Sequence, residues 1–270
     1  SQGGQTVPIY REILADTDTP VSAYMKLRTR SDYTFLFESV EGGERAARYS
    51  FLGIRPTRIF RSRGQKVTIQ DRIDGTTQTF DADPRQALRD MMAPYTAPPQ
   101  PDLPPFTGGA VGYLAYDGIR LVEDIPATAA DDLGLDDLVY ALFETVIAFD
   151  NLRHTILIIA NARCTNGQST DEAYADAAQR IDELEAMLAQ PATLPGLGAG
   201  GGMGKVRSNI SRAQYTDAIE RCLEYIRAGD IFQVVFSQRF QLDFAGDPFD
   251  IFRVLRTVNP SPYMFHIEQE

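Results

Sequence analysis

Between Tyr33 and Phe80 the chain is broken into short runs suited to strands: Tyr33 to Val40, Arg48 to Ile54, Thr57 to Arg61, Lys66 to Gln70 and Thr77 to Phe80. The breaks between them, among them Glu41-Gly42-Gly43 and Asp74-Gly75, are turn signals. Parallel neighbours need a crossover of a dozen or more residues, and none of these breaks is that long. The stretch is therefore predicted to be a β-meander whose successive strands pair antiparallel.

Asp83-Pro84 then offers an N-cap and a proline in the first turn, which predicts a short helix through Met92, ending near Pro94. The segment from Pro94 to Pro105 also contains Pro98, Pro99, Pro101 and Pro104 and is expected to be an extended connector. Gly108-Gly109-Ala110-Val111-Gly112-Tyr113-Leu114-Ala115-Tyr116-Asp117 follows. Three glycines in one apolar run predict a buried strand at which backbones approach closely. A hairpin is expected next, from Val139 to Phe149, around Asp150-Asn151, and back from His154 to Ala160.

Ser169-Thr170-Asp171-Glu172 is a capping-box pattern. Tyr174, Ala177, Ala178, Ile181, Leu184 and Leu188 then recur at helical spacing, predicting an amphipathic helix that Pro191 ends. A second helix is predicted from Ser211 to Ala228, with Ser211 and Gln214 as its box, Tyr215, Ile219, Cys222 and Ile226 as its buried stripe, and Gly229 as its stop. Between the two, Pro191 to Lys205 has the composition of a mobile loop. Its Gly196-Leu197-Gly198-Ala199-Gly200-Gly201 matches G-x-G-x-x-G formally, but it follows a helix instead of a strand, so the match is compositional.

After Asp230 a long strand is expected from Ile231 to Phe244. Alternation puts Phe232, Val234, Phe236, Phe240, Leu242 and Phe244 on a core face. Gln233, Ser237, Arg239 and Gln241 fall on the other, which either meets solvent or lines a cavity.

Composition excludes several classes. At 270 residues and 43% hydrophobic side chains the chain can bury a large core, yet no apolar stretch nears the roughly 20 residues of a membrane span. Ser1-Gln2-Gly3-Gly4 offers no basic region or apolar signal core, and a cytoplasmic location is expected. A formal net charge of -11 argues against nonspecific binding to nucleic acid or anionic lipid. The two cysteines, Cys164 and Cys222, lie far apart and are expected to be packed thiols. Neither histidine, His154 or His266, has a ligand or triad partner at a recognisable spacing.

Four segments together carry more: ESVEGGERAARYSFLG from Glu38, GGAVGYLAYD from Gly108, AGDIFQVVFSQRF from Ala228 and NPSPYMF from Asn259. In this order they resemble anthranilate synthase component I, the chorismate-using large subunit of tryptophan biosynthesis, over nearly the whole chain from Tyr10 to Phe265. The resemblance implies an α+β fold, a layered α/β sandwich of mainly antiparallel sheets flanked by helices. It divides the chain into 1–205, an N-terminal region, and 206–270, the start of the chorismate-binding region. It implies addition of ammonia to chorismate with Mg2+ assisting, then elimination of pyruvate to leave anthranilate. The ammonia would come from a glutamine amidotransferase subunit, making a hetero-oligomer. L-tryptophan would be the feedback inhibitor.

By the same resemblance the inhibitor pocket is formed by Ser39 with Pro262, Tyr263 and Met264, joined by Glu38 and Arg48. A free tryptophan needs an apolar slot for its indole, acceptors for its ammonium and donors for its carboxylate. Glu38 and Ser39 supply acceptors, Arg48 a carboxylate partner, and Met264 a polarizable wall. Gln233 is a candidate active-site lining residue, at a position where water-using relatives carry a basic lysine; glutamine cannot deprotonate water, which suits ammonia as nucleophile. Phe236 departs from the family's usual proline or leucine there. The family's general base and metal-binding glutamates are expected beyond Glu270, so no catalytic residue and no Mg2+ ligand is expected in this chain, which alone would be inactive. Two rivals stand beside this reading: aminodeoxychorismate synthase component I of folate synthesis, which usually departs from NPSPYM, and a non-catalytic tryptophan-binding regulatory fragment.

Overall fold

The computed structural model describes residues 6–39, 48–98, 100–164, 167–192, 195–198 and 204–269. The Glu41-Gly42-Gly43 turn and most of the glycine-rich loop from 199 to 203 lie outside them. In chain order the first elements are β1 (Val7–Leu14), α1 (Pro20–Leu27), β2 (Thr34–Glu38), β3 (Tyr49–Ile54), β4 (Arg58–Arg63), β5 (Lys66–Asp71), β6 (Thr77–Asp81) and α2 (Pro84–Met92). There follow β7 (Gly109–Leu114), β8 (Leu138–Phe143), β9 (Thr145–Asp150), β10 (Thr155–Ala162) and α3 (Thr170–Leu188). The last are β11 (Arg207–Ser208), α4 (Arg212–Ala228), β12 (Phe240–Gln241), α5 (Pro248–Val258) and β13 (Met264–Glu268). The chain divides into two compact units, residues 1–194 with 253–270, and residues 195–252.

The larger unit is built on two antiparallel sheets. One has six strands in the order β1-β10-β9-β3-β2-β13, the other five in the order β6-β5-β4-β8-β7. The single meander expected from Tyr33 to Phe80 is corrected at this point: β2 pairs with β3 in the first sheet, whereas β4, β5 and β6 belong to the second. The switch falls at Arg55-Pro56. Arg55 adopts a left-handed φ of 54°, Pro56 has no N-H for a ladder, and Thr57 N donates instead to Leu142 O at 2.8 Å, seating β4 against β8. The expected strand from Val139 to Phe149 is likewise two: β8 in the second sheet and β9 in the first, parted at Glu144. Two such crossings let one chain supply facing sheets without long connections.

The core lies between the sheets. Tyr33, Phe35, Val146, Ala148, Leu157 and Ile159 of the first sheet side meet Ile59, Val111, Val139, Ala141 and Phe143 of the second, all buried. Alternation turns Ile156 and Ile158 to the outer face of the first sheet, where α3 packs along β10 and α1 along β2 and β3. The outer face of the second sheet is closed by α2, whose Ala87 and Met91 pack on Phe60, Val67 and Leu138. The result is the expected α+β sandwich of antiparallel sheets flanked by helices.

The helix starts follow the caps. Asp83 accepts from Arg85 N, and Ser169 and Glu172 form the predicted reciprocal box. In α3 the buried stripe is Ala173, Ala177, Ile181, Leu184 and Leu188; Tyr174, expected within it, is exposed. β1, α1 and α5 are among the elements that escape the sequence patterns. β1 contains Pro8, Arg11 and Glu12 and is tolerated because it is an edge strand. In α1 the box runs from Thr19 to Ser22, so the usual Glu or Gln cue is missing. α5 starts with Asp247-Pro248, the same dipeptide that begins α2, and Phe249 N donates to Asp247 Oδ1 at 2.9 Å.

In the smaller unit α4 begins at Ser211, with the Gln214 box, and ends at Gly229 with φ 84°, as expected. Its stripe is not buried: Tyr215, Ile219 and Cys222 are half-buried and Ile226 is exposed. The long strand from Ile231 to Phe244 is also corrected. Only Phe240–Gln241 is strand, paired with Arg207–Ser208, and the expected core residues Phe232, Val234, Phe236, Phe240, Leu242 and Phe244 are all exposed. A strand needs a neighbour for its backbone groups, and among the described residues only β11 provides one. Local bonds hold what remains, including Arg207 forked onto Asp243 at 2.6 and 3.0 Å and the ring of Tyr215 5.4 Å from that of Phe236. Cys164 is exposed, against expectation, and Cys222 is half-buried; neither is in a disulfide.

Candidate functional site

Strand pairing brings the two distant motif segments together. β13 runs antiparallel to β2 with Met264 opposite Glu38 and Phe265 opposite Phe37, and Phe37 in turn lies opposite Phe51 of β3. At this end of the first sheet opens a cavity of about 780 Å³, within the range of roughly 300–1,000 Å³ usual for small-molecule sites. Its floor and one wall are Phe37, Glu38 and Ser39 with Tyr263, Met264 and Phe265; a second wall is Arg48, Tyr49 and Phe51. The far side is closed by Pro105 and Phe106 of the connector and by Gly112, Tyr113 and Leu114 of β7.

Aromatic packing shapes it. Phe106 stands edge-on to Phe51 with ring centroids 5.6 Å apart, and Phe35 beneath tilts against Phe37 at 4.9 Å. Gly112 allows β7 to lie tight on β8: a Cβ there would come 1.8 Å from Val139 O. That is the close backbone approach the glycine spacing predicts.

The charged groups at the wall are already engaged. Arg48 Nε lies 3.2 and 3.1 Å from the Asp150 oxygens and its Nη2 2.6 Å from Oδ2, while its guanidinium sits 4.7 Å over the Tyr49 ring. Asp150 Oδ1 also accepts from Leu152 N and Arg153 N. Burial pushes the Asp150 carboxyl up, but the Arg48 bonds and these backbone donors outweigh it and hold it below the usual carboxylate range. Glu38 is the opposite case. It is buried, and burial lifts its carboxyl above the usual range against the pull of Arg256. Arg256 Nη2 donates to Oε1 at 2.9 Å, and its Nε lies 2.6 Å from Oε2 without the alignment of a hydrogen bond.

Of the residues singled out in the sequence, Glu38, Ser39, Arg48, Tyr263 and Met264 line this one cavity. Pro262 does not line it and is exposed; it shapes the turn into β13. Gln233 is exposed in an irregular stretch of the smaller unit. Sequence reasoning missed Asp150, Arg256 and the aromatic wall of Phe37, Phe51, Phe106 and Tyr113. Cross-strand register was the one signal for Phe37 and Phe51; the two acids and bases pair across 102 and 218 positions, for which no local pattern exists.

A family model described as chorismate binding enzyme matches residues 32–270. The chain belongs to the chorismate binding enzyme family. Within it, the chain is 42% identical over 275 residues to anthranilate synthase component 1 of Acinetobacter calcoaceticus, covering 98% of this chain and 53% of that protein. It is 40% identical to the Cereibacter sphaeroides protein of the same name, covering 98% and 54%. The chain spans about half the length of the curated relatives it matches. The crystal structure of anthranilate synthase component I from Streptococcus pneumoniae superimposes with a TM-score of 0.62 at 28% identity, over 92% of this chain and 53% of that one. The menaquinone-specific isochorismate synthase MenF of Escherichia coli superimposes with a TM-score of 0.53 at 14% identity, a likeness of fold alone. The resemblance read from the four motifs is thus borne out. For this chorismate binding enzyme, no helix among the described residues is long and apolar enough to cross a membrane. Nor do the described residues contain a group of three or more His, Cys, Asp or Glu that could hold a metal ion.

Proposed function

We propose that the chain is part of an anthranilate synthase component I and that its cavity is the feedback site for L-tryptophan. One observation carries this: Glu38-Ser39 and Tyr263-Met264, far apart in sequence, meet through the pairing of β2 with β13 at the mouth of a single aromatic cavity. The volume of about 780 Å³ accommodates an indole with its amino-acid backbone. Among the described residues its charged lining groups are one carboxylate and one guanidinium, Glu38 and Arg48, a pattern complementary to a zwitterion. Among the described lining residues, a dianion such as chorismate would meet the Glu38 carboxylate and only the single guanidinium of Arg48 to offset two negative charges. The catalytic pocket is therefore a different one.

The complete subunit adds ammonia to chorismate with loss of the ring hydroxyl and then eliminates pyruvate to give anthranilate, a lyase reaction of cytoplasmic tryptophan biosynthesis. Mg2+, when bound, would supply positive charge to offset the negative charge developing on the departing oxygen. No ligand for it is assigned among the described residues, and no step is assigned to Gln233 beyond lining. A glutamine amidotransferase subunit supplies the ammonia. Feedback requires tryptophan to favour an inactive conformation over the active one.

The test is calorimetric titration of the protein with L-tryptophan, together with an assay of the complete subunit for fluorescent anthranilate from chorismate, ammonia and Mg2+. Ser39→Leu fills the cavity mouth and is expected to abolish both the binding and the inhibition while leaving synthesis intact. Undiminished inhibition in that variant would remove the assignment.

A further inference from the structure

A second cavity, of about 720 Å³, opens on the outer face of the second sheet, between α2 and the 3₁₀ helix Tyr116–Leu121. Its floor is Leu138 and Tyr140 of β8. Tyr140 lies opposite Gly112 of β7, so no side chain stands directly across from its ring and the floor is left open. One bank is α2. There Ala87 and Met91 go down onto the sheet, Leu88 and Met92 turn toward the groove, and Arg85 and Arg89, four residues apart like each of those pairs, stand exposed at the rim. The other bank is Ile119, Leu121 and Val122. It lies against Leu114 at the end of β7, so closely that a Cβ on Gly118 would come 2.3 Å from Leu114 Cδ1. Leu114, Tyr116 and Val122 are exposed, an apolar patch with a charged rim.

We propose that this groove binds an aliphatic monocarboxylate, its chain laid between the two banks and its head group on Arg89. Charge fixes the sign of the ligand. Among the described residues the lining holds two guanidiniums and no carboxylate, a local reversal in a chain of net charge -11. Arg85 is already forked onto Asp83 at 2.8 and 3.1 Å. Arg89 has no ion pair or side-chain hydrogen bond among the described residues, and the Tyr140 hydroxyl has no partner there either. One uncommitted cation suits a single negative charge. The walls fix the rest of the ligand. Apart from Tyr116 and Tyr140 they are aliphatic, and Met92 adds a side chain that adapts to a flexible partner, whereas a flat ring finds its stacking surfaces in the aromatic cavity. Burial of the chain would cover Leu114 and Val122. Leu114 lines both cavities, so it is not a position at which the two sites can be told apart.

The experiment is isothermal titration of the complete subunit with hexanoate, octanoate and decanoate, with octanamide and octylammonium as the neutral and cationic counterparts. Affinity should rise along the carboxylate series, by up to about fourfold for each methylene that is fully covered. Octanoate should bind about threefold tighter than octanamide, the scale of an exposed charge pair, and octylammonium more weakly than either. Arg89 is exposed and away from the core, and Arg89→Glu should reverse the order, so that octylammonium binds better than octanoate. An order that stays the same overturns the proposal. Val122→Glu, also at an exposed position, puts a carboxylate on the opposite bank and should weaken octanoate about fivefold. Octanoate binding that ignores both substitutions and is displaced by saturating L-tryptophan belongs to the aromatic cavity, and the proposal is then wrong. It is equally wrong if no member of the series binds the complete subunit, a result that leaves the groove to a protein segment. Failure of L-tryptophan to bind would remove the feedback reading and leave this one standing.

Discussion

Met264 stands directly opposite Glu38 in the antiparallel register of β13 on β2, and this single pairing turns two remote segments into one cavity wall. Because side chains alternate along a strand, a slip of one residue would send Met264 to the other face and dismantle that wall. Met264 is buried and touches the cavity, so shortening it affects fold and ligand together. Met264→Ala is expected to cost about 2–3 kcal/mol of stability in chemical denaturation, the usual range for a buried methionine truncated to alanine. It should also weaken tryptophan binding in calorimetry. Unchanged values for both would mean that the pairing does not carry the wall.

Gly112 makes a second, sharper case. A Cβ at this position would lie 1.8 Å from the backbone oxygen of Val139 and 2.7 Å from Tyr140 Cα, and backbone cannot rotate away as a side-chain tip can. Gly112→Ala therefore forces β7 off β8, at a cost of about 3 kcal/mol by the measure of overpacked cores. The denaturation midpoint checks this. Gly75, with φ 75° but open space around its Cβ, is the control in which only backbone strain operates, and Gly75→Ala should cost less.

Exposure separates the two thiols. Cys164 is exposed and Cys222 is half-buried on α4. Alkylation with a maleimide in native buffer, followed by peptide mass mapping, is expected to label Cys164 first. Equal rates would show that α4 opens as readily as the loop after β10.

How much of this was legible in the sequence depended on the range of the interaction. Caps at Asp83, Ser169, Ser211 and Gly229 act within four residues, and each of those helix ends lies where the pattern put it. The cavity was legible in its motifs because Ser39 and Met264 sit at the ends of strands that must pair somewhere. Which sheet a strand joins is decided elsewhere: nothing before Arg55-Pro56 announces that β4 will find β8, more than seventy residues later. The segment from Ile231 to Phe244 shows the same limit from the other side. Its alternation fits a strand, yet its Phe232, Val235 and Phe240 are exposed because alternation fixes a face and not a neighbour. The Arg256–Glu38 and Arg48–Asp150 pairs were invisible for the same reason.

The Arg48–Asp150 pair gives a pH dependence whose sign can be worked out. Asp150 sits at the start of the β9–β10 turn, where it accepts from Leu152 N and Arg153 N as well as from Arg48, and its folded carboxyl is held below the unfolded value. A carboxyl lowered on folding contributes its full stability above the unfolded titration, about pH 4, and loses it as pH falls through the folded value. The native protein should accordingly lose stability on acidification below about pH 4, in part through this group. Asp150→Asn keeps an acceptor for the turn but not the charge facing Arg48, so at neutral pH it is expected to cost about 2 kcal/mol, in line with hydrogen bonds to charged groups. As pH falls through the folded value the difference between variant and wild type should shrink, because protonation then removes the same charge from the native chain. Urea titrations at neutral and acid pH measure both quantities. A gap that stays constant with pH would assign the loss to the shape of the turn and not to the charge facing Arg48.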